Sequence, residues 1–309
     1  MSERELDAAG ISDPGLRSAY ETCRELNSAH GKTYYLATLL LPPAKRPSVH
    51  ALYGFARYAD EFVDDLDAPD PTALLRWSEQ FLADFDSGAE GSEPVSRAAL
   101  HTARSWGIGR DTFEAFLASM AMDITVTGYD TYADLEHYMY GSAAVIGLQM
   151  VPILQPVHAE APARAKVLGE AFQMSNFIRD VAEDLQRGRV YLPQEDLDRF
   201  GVTRHDLRPQ PTPAHVRDLL AFEIDRTRAL YAEAEPGIAM LHPTSRDCIR
   251  TAFELYGGIL RAVEDADYQV LTQRVSVPMP RRLAVAVPGL VRARWSRRSQ
   301  PRRRPAPAR

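Results

Sequence analysis

At 309 residues with 45% hydrophobic content, the chain is long enough to bury a large core, and a single all-helical domain can account for it. Only two cysteines, Cys23 and Cys248, are present, which excludes a disulfide framework and points to a reducing compartment with both thiols buried and inert. Net charge is −6, yet residues 281–309 hold ten arginines and no acid; removing those ten charges leaves −16 on the body, a distribution that excludes a nucleic-acid-binding body and suits one that collects divalent cations.

Strand signals are scarce and most segments carry helical spacing. The N-terminus lacks the basic-then-apolar pattern of a signal peptide, and no run of about 20 apolar residues occurs, so a cytoplasmic location is expected. A first polar helix is predicted over 15–30, ending near Gly31. Pro42, Pro43 and Pro47 mark a loop, after which Ser48 is placed to cap a helix through about Asp65. Asp70-Pro71 opens the next helix. Ser87 to Pro94 reads as a surface loop, followed by helices at 95–105 and 110–123. One long buried helix is expected from Tyr132 to Leu154, with Gly141, Ser142, Ala143, Ala144 and Gly147 forming a face of small residues. The next spans 161–186, stopped by Gly188 and Pro193. Helices at 213–234 and 244–272 complete a body assigned to residues 1–280. In the basic stretch 281–309, Pro288 and Gly289 are expected to interrupt any helix, and Arg297 to Arg309 is Pro/Arg-rich and expected to be disordered.

Two acidic segments carry the chemistry. In the first, Tyr53, Arg57, Asp60 and Asp64 recur at spacings of three and four, so one helix face offers a phenol, a guanidinium and two carboxylates. In the second, Asn176, Asp180 and Asp184 recur at i, i+4 and i+8, with Gln173 a turn earlier. Like charges at that spacing repel by a few tenths of a kcal/mol per pair, so a fold seeking only stability would avoid them. Carboxylate and amide oxygens are hard ligands suited to Mg²⁺, with substrate phosphates completing the octahedron. Two such faces about 120 residues apart suggest two walls of one cavity. Taken singly, each has a blander alternative: a solvated acidic helix end for the first, a buried polar network for the second. A third constellation, His30-Gly31-Lys32-Thr33-Tyr34, joins a hydroxyl, an ammonium and backbone amides at a helix junction, which suits diphosphate; a plain glycine cap is its alternative.

Together these segments resemble the squalene/phytoene synthase family. The most specific part is Asn176-xxx-Asp180-Val181-x-Glu183-Asp184 followed by Arg187-Gly188-Arg189-Val190-Tyr191-Leu192-Pro193. Tyr138-Met139-Tyr140-Gly141-Ser142 looks like the family's cavity-lining helix. The resemblance covers roughly residues 15–275 and is strongest to bacterial phytoene synthases. It implies an all-α, single-domain isoprenoid-synthase-type bundle around a central apolar cavity. It also implies a Mg²⁺-dependent transferase (Mn²⁺ being the substitute) that joins two geranylgeranyl diphosphates head to head, through a cyclopropyl diphosphate, to phytoene. No NADPH is expected. Carried over residue by residue, the metal ligands are Asp60, Asp64, Asn176, Asp180 and Asp184. The diphosphate is held by His30, Lys32, Thr33, Tyr34, Arg57, Arg179, Arg189 and Tyr191. Tyr53, Tyr138 and Gln173 lie near the reacting groups. Glu61 stands where the family more often has Asp.

Four alternatives stand beside this reading. The squalene branch of the family takes farnesyl diphosphate, giving presqualene diphosphate, squalene or dehydrosqualene. A terpene cyclase would want DDxxD and an Asn-xxx-Ser-xxx-Glu pattern, and a chain-elongating enzyme two DDxxD motifs; neither pattern is present. A non-catalytic helical binding protein has no need of two acidic walls interleaved with arginine. The basic tail is either a dispensable solvated segment or a peripheral contact with anionic lipid on the inner face of the membrane.

Overall fold

A computed structural model describes residues 3–64 and 70–298, the side chains of Asp64 and Arg298 excepted. Helices α1 (Glu3–Ala8), α2 (Pro14–His30), α3 (Lys32–Thr38) and α4 (Arg46–Asp64) come first, with a short 3₁₀ turn, Pro43–Lys45, before α4. Then follow α5 (Pro71–Ser87), α6 (Pro94–Trp106), α7 (Arg110–Met122) and α8 (Tyr132–Met139). A π-helical turn, Tyr140–Ala144, leads into α9 (Val145–Leu154), and α10 (Ala161–Gln186) is the longest element. The chain continues through α11 (Gln194–Phe200), α12 (Ala214–Ala234), a 3₁₀ turn (Glu235–Met240), α13 (Pro243–Asp265) and α14 (Met279–Arg298). Among the described residues no strand forms; two isolated bridges pair Gly128 with Val190 and Pro156 with Leu241.

Local chemistry explains the boundaries. Asp13 and Asp70 accept from the amides of Leu16 and Ala73 at 2.7 and 2.8 Å, each ahead of a proline in the first turn. Gly88 ends α5 in the left-handed region at φ 78°. Thr131 and Asp134 form a reciprocal capping box at α8.

Four expectations need correction. Ser48 does not cap α4, which begins two residues earlier; its hydroxyl accepts from Trp106 Nε1 at 2.8 Å instead. The helix expected over 132–154 is divided by the π turn, where Ser119 Oγ donates to the Tyr138 carbonyl at 3.0 Å. α13 stops at Asp265, and Asp267 and Tyr268 adopt positive φ of 51° and 58°, so the helix does not reach 272. Finally, α14 runs through Pro288 and Gly289. Pro288 is exposed, so the carbonyl it leaves without a helical partner is open to water. Gly289 is buried, and a Cβ there would lie 2.8 Å from Leu40 Cδ2, so glycine serves close packing and not a break. The final stretch expected to be disordered lies, from 299 on, outside the described residues.

The small-residue face of 141–147 does bring helices close. A Cβ on Gly141 would sit 2.2 Å from the Ala115 carbonyl of α7, and one on Gly147 would sit 2.2 Å from the Ala165 carbonyl of α10. Gly169 of α10 likewise approaches the Ala143 carbonyl. These contacts set the spacing of α7, α9 and α10 around the interior. Phe55, Trp77, Phe81 and Phe113 pack with ring centroids 4.6–5.9 Å apart on the far side of α4. Cys23 and Cys248 are free and buried, and burial pushes both thiols up to about 12.

Candidate active site

A cavity of about 600 Å³ opens between α4 and α10. α4 contributes Tyr53, Arg57 and Asp60 to its lining; α10 contributes Gln173, Asn176, Arg179, Asp180 and Asp184. His30, Tyr34, Tyr138, Arg189 and Tyr191 line it as well. Asp64 falls on the last turn of α4, and its side chain is outside the described residues. Lys32 is not brought to the cavity; it is exposed at the start of α3. Thr33 faces an adjoining recess of about 50 Å³ with Arg179, Tyr256 and Arg282.

The polar mouth is a lattice of charge. Arg57 donates to Asp60 at 2.8 Å and lies 3.3 Å from Glu61. Arg179 is bidentate on Asp180, its Nε donating at 2.8 Å. Arg274, from the segment between α13 and α14, stands 3.4 Å from Asp180 and 3.2 Å from Glu183. Asp184 pairs with Arg187 at 3.8 Å.

Deeper in, aromatic rings surround a buried carboxylate. Tyr138 and Tyr191 donate to the two oxygens of Asp123 at 2.8 and 3.1 Å, and Arg189 donates to the Asp123 carbonyl at 3.2 Å. Phe177 stacks on Tyr191 at 4.2 Å. On the opposite side Tyr34 lies 5.1 Å from Tyr256, which stacks on Phe172 at 4.5 Å. Burial raises the Tyr138 and Tyr256 phenols well above their ordinary range and pushes Tyr53 up to about 12, so all three stay protonated near neutrality. Much of the remaining lining is apolar, with Leu52, Phe116, Met150 and Leu168 among it, beside the polar Asn27, Thr38, Ser142 and Arg164.

Sequence reasoning missed Asp123, Arg274 and Tyr256. Each stands alone in its segment without a helical partner at ligand spacing, so no local pattern marked it. The one available signal was the arginine at 274 within an acid-free stretch.

The donor set fits Mg²⁺. Asp60, Asn176, Asp180 and Asp184 offer oxygen only, with no sulfur or imidazole among them. Among the described residues no three His, Cys, Asp or Glu side chains converge closely enough to enclose an ion. Mg²⁺ is usually held by one or two carboxylates, with water and substrate phosphate oxygens completing its octahedron, and an open set of oxygen donors suits that mode.

The family model described as squalene/phytoene synthase matches residues 27–281. The chain belongs to the squalene/phytoene synthase family. Its relatives include a 15-cis-phytoene synthase of Synechocystis, 36% identical over 282 residues that cover 87% of this chain and 83% of that one. A phytoene synthase of Arthrospira platensis is 35% identical over 91% of this chain and 96% of its own length. Among solved structures, a dehydrosqualene synthase with bound ligand superposes with a TM-score of 0.82 at 29% identity, covering 92% of this chain and 98% of that one. A squalene synthase from Alicyclobacillus acidocaldarius gives 0.75 at 28% identity over 84% of this chain and 98% of its own. The all-helical architecture is that of these family members.

Proposed function

We propose that this chain is a phytoene synthase, joining two geranylgeranyl diphosphates head to head with Mg²⁺ and without NADPH. The observation that carries this is the pairing of two acidic, arginine-laced helix faces at the mouth of one apolar, aromatic-lined cavity. The names of the relatives at 35–36% identity support the choice of phytoene within the family.

The residues divide the work. Arg57, Arg179, Arg189 and Arg274 bring positive charge to the place where diphosphate would leave with the C–O bonding pair. Asp60, Asp64, Asn176, Asp180 and Asp184 would hold Mg²⁺, which when bound neutralises the leaving group. The apolar walls keep water from the allylic cation left behind. The faces of Tyr138, Phe177 and Tyr191 offer it roughly 0.5–2 kcal/mol each. Attack by the second substrate's double bond closes a cyclopropane with loss of a proton. Ionisation of that second diphosphate and loss of a further proton complete a C40 product. Tyr53 and Gln173 line the same space and are assigned to orienting the chains, His30, Thr33 and Tyr34 to the second diphosphate. Both substrates carry long apolar chains, which accords with a peripheral place on the membrane's anionic inner face.

The test is incubation with geranylgeranyl or farnesyl diphosphate, with Mg²⁺ or EDTA, with and without NADPH, followed by identification of the hydrocarbon. The expected result is a C40 hydrocarbon from the C20 substrate, independent of NADPH and stopped by EDTA. A product made only from farnesyl diphosphate, or only with NADPH, moves the chain to the squalene branch. A cyclic product indicates a cyclase, and no pyrophosphate release a binding protein.

A further inference from the structure

Large apolar side chains exposed on a folded surface are informative when they cluster. Among the described residues eight are exposed, and five of them fall on α14. Leu283, Val287, Val291 and Trp295 recur every four residues along it, with exposures of 51, 53, 63 and 75%. The opposite face is buried: Ala286 and Ala293 are 1 and 0% exposed, and Arg292 is tied to Asp247 of α13 at 2.9 Å. The helix is thus fixed to the body along one side and presents an apolar ridge along the other. Its charge is of one sign. From 268 to 309 the chain contains no Asp or Glu, and Arg281 and Arg294 flank the ridge.

We infer that α14 is an in-plane membrane-docking helix, whose ridge enters the boundary between headgroups and acyl chains of an anionic phospholipid bilayer while its arginines contact the lipid phosphates. This is the arrangement of an interfacial helix, apolar on one side and basic beside it. The charge selects this occupant over a second copy of the chain. A two-fold contact through α14 would oppose two arginine-rich helices without an acid between them. An anionic surface complements every charge on the helix. Among the described residues no helix is long and apolar enough to cross a membrane, so the contact is made from one side. α13 lies between the two features, packing against α14 and supplying Cys248, Ile249 and Ala252 to the cavity lining. Docking would therefore place the cavity one helix away from the lipid. This deepens the membrane contact named under the proposed function; the assay contains no substrate, so its failure leaves the catalytic assignment standing.

The experiment is flotation of the full chain with phosphatidylglycerol-containing vesicles and with phosphatidylcholine vesicles, joined to fluorescence quenching by brominated acyl chains. Of the three tryptophans, Trp77 and Trp106 have their indole N–H groups bonded inside the body, so quenching by bromine within the bilayer reports Trp295. Wild type is expected to bind the anionic vesicles and to be quenched. Binding should weaken as salt rises from about 0.1 M to about 1 M, where the screening length falls from about 10 to about 3 Å. The variant Leu283→Gln/Val287→Gln/Val291→Gln alters exposed positions only, and should lose binding on the order of tenfold or more with its melting temperature kept. Arg281→Gln/Arg294→Gln should narrow the preference for anionic over zwitterionic vesicles, eight of the ten arginines in 281–309 being kept. Unquenched Trp295 in vesicle-bound wild type overturns the inference, and does so whether or not the variants fold. So does vesicle binding undiminished in a folded triple variant, or a wild-type dimer that the triple variant abolishes while neither protein floats.

Discussion

The hydroxyl of Tyr138 donates to Asp123 at 2.8 Å, in a place where both side chains are almost closed to solvent. The carboxylate holds the phenol at the wall of the cavity, and the π turn immediately after Tyr138 fixes the backbone from which the ring projects. Asp123 is a positioning residue on this geometry. Asp123→Leu removes the acceptor for both Tyr138 and Tyr191 and should lower stability by about 1–3 kcal/mol. Asp123→Asn keeps one acceptor oxygen and should cost less. In both, kcat should fall about 10- to 100-fold through misplaced rings, with KM changed less, because Arg189 is held through the Asp123 backbone carbonyl, which the substitution keeps, and Arg57, Arg179 and Arg274 have their ion pairs with other residues. Steady-state kinetics beside thermal melts will separate the two effects. A rise in KM at unchanged kcat would show that Asp123 does not position these rings for the reaction.

Asp60→Asn and Asp180→Asn should each nearly abolish turnover and raise the Mg²⁺ concentration needed for what remains. Stability needs a separate treatment. Repulsion along each helix predicts that removing a carboxylate holds or raises stability without metal. The structure changes that expectation at Asp180, which is 14% exposed and compensated by Arg179 and Arg274. Its loss leaves a largely buried guanidinium short of a partner, so Asp180→Asn should lose about 1–2 kcal/mol in EDTA. The Arg57–Asp60 pair is more exposed, and Asp60→Asn should melt close to wild type. Near-normal activity in either variant would sink the assignment of these residues to metal.

Much of the bundle was legible because its helices carry their own punctuation. Asp70-Pro71 announces a start, the helix expected over 15–30 runs from Pro14 to His30, and 161–186 is read correctly to both ends. The acidic walls were legible because one-turn spacing is a local property. What was hidden depends on contacts distant in sequence. The π turn arises where Gly141 presses on α7, and nothing in Tyr-Gly-Ser-Ala-Ala alone distinguishes it from α-helix. Asp123 gains meaning only when Tyr138 and Tyr191 arrive beside it, and Arg274 only when the segment after α13 folds back to Asp180. Continuity of α14 through Pro288 depends on which side of the helix faces the body.

Gly147 and Gly257 make a matched pair for testing close packing. Both lie inside helices, where alanine is intrinsically better by up to about 1 kcal/mol. At Gly147 the new methyl would meet the Ala165 carbonyl at 2.2 Å, a backbone atom within α10 that cannot turn aside. Gly147→Ala should therefore destabilise by about 1–3 kcal/mol and disturb the cavity wall it shares. At Gly257 the nearest atom is a Tyr231 ring carbon at 3.7 Å, ordinary contact, so Gly257→Ala should be neutral or stabilising. Thermal melts of the two variants, side by side, decide whether α9 and α10 approach as closely as described.

His50 gives the clearest pH dependence. It is 1% exposed, 2.9 Å from Asn27 Nδ2 and stacked on Tyr35. Burial first, then the nearby Arg24, pushes its imidazole down to about 3 from the ordinary 6.5. The unfolded chain thus takes up a proton near pH 6.5 that the folded chain refuses until about 3. Between those values the unfolded state binds more protons, so stability falls as pH drops, by up to about 1.4 kcal/mol per pH unit. Glu223 acts in the opposite sense. Burial raises its carboxyl to about 8, so from its ordinary 4.5 upward it costs stability as pH rises, and the two partly cancel in the whole-protein profile. A difference measurement isolates His50. His50→Gln cannot titrate, and urea unfolding of wild type and variant should show wild type losing about 2 kcal/mol more than the variant between pH 7 and pH 5. Parallel profiles for the two proteins would mean that His50 is protonated in the folded state, and that the pocket around Asn27 and Tyr35 accepts the charge.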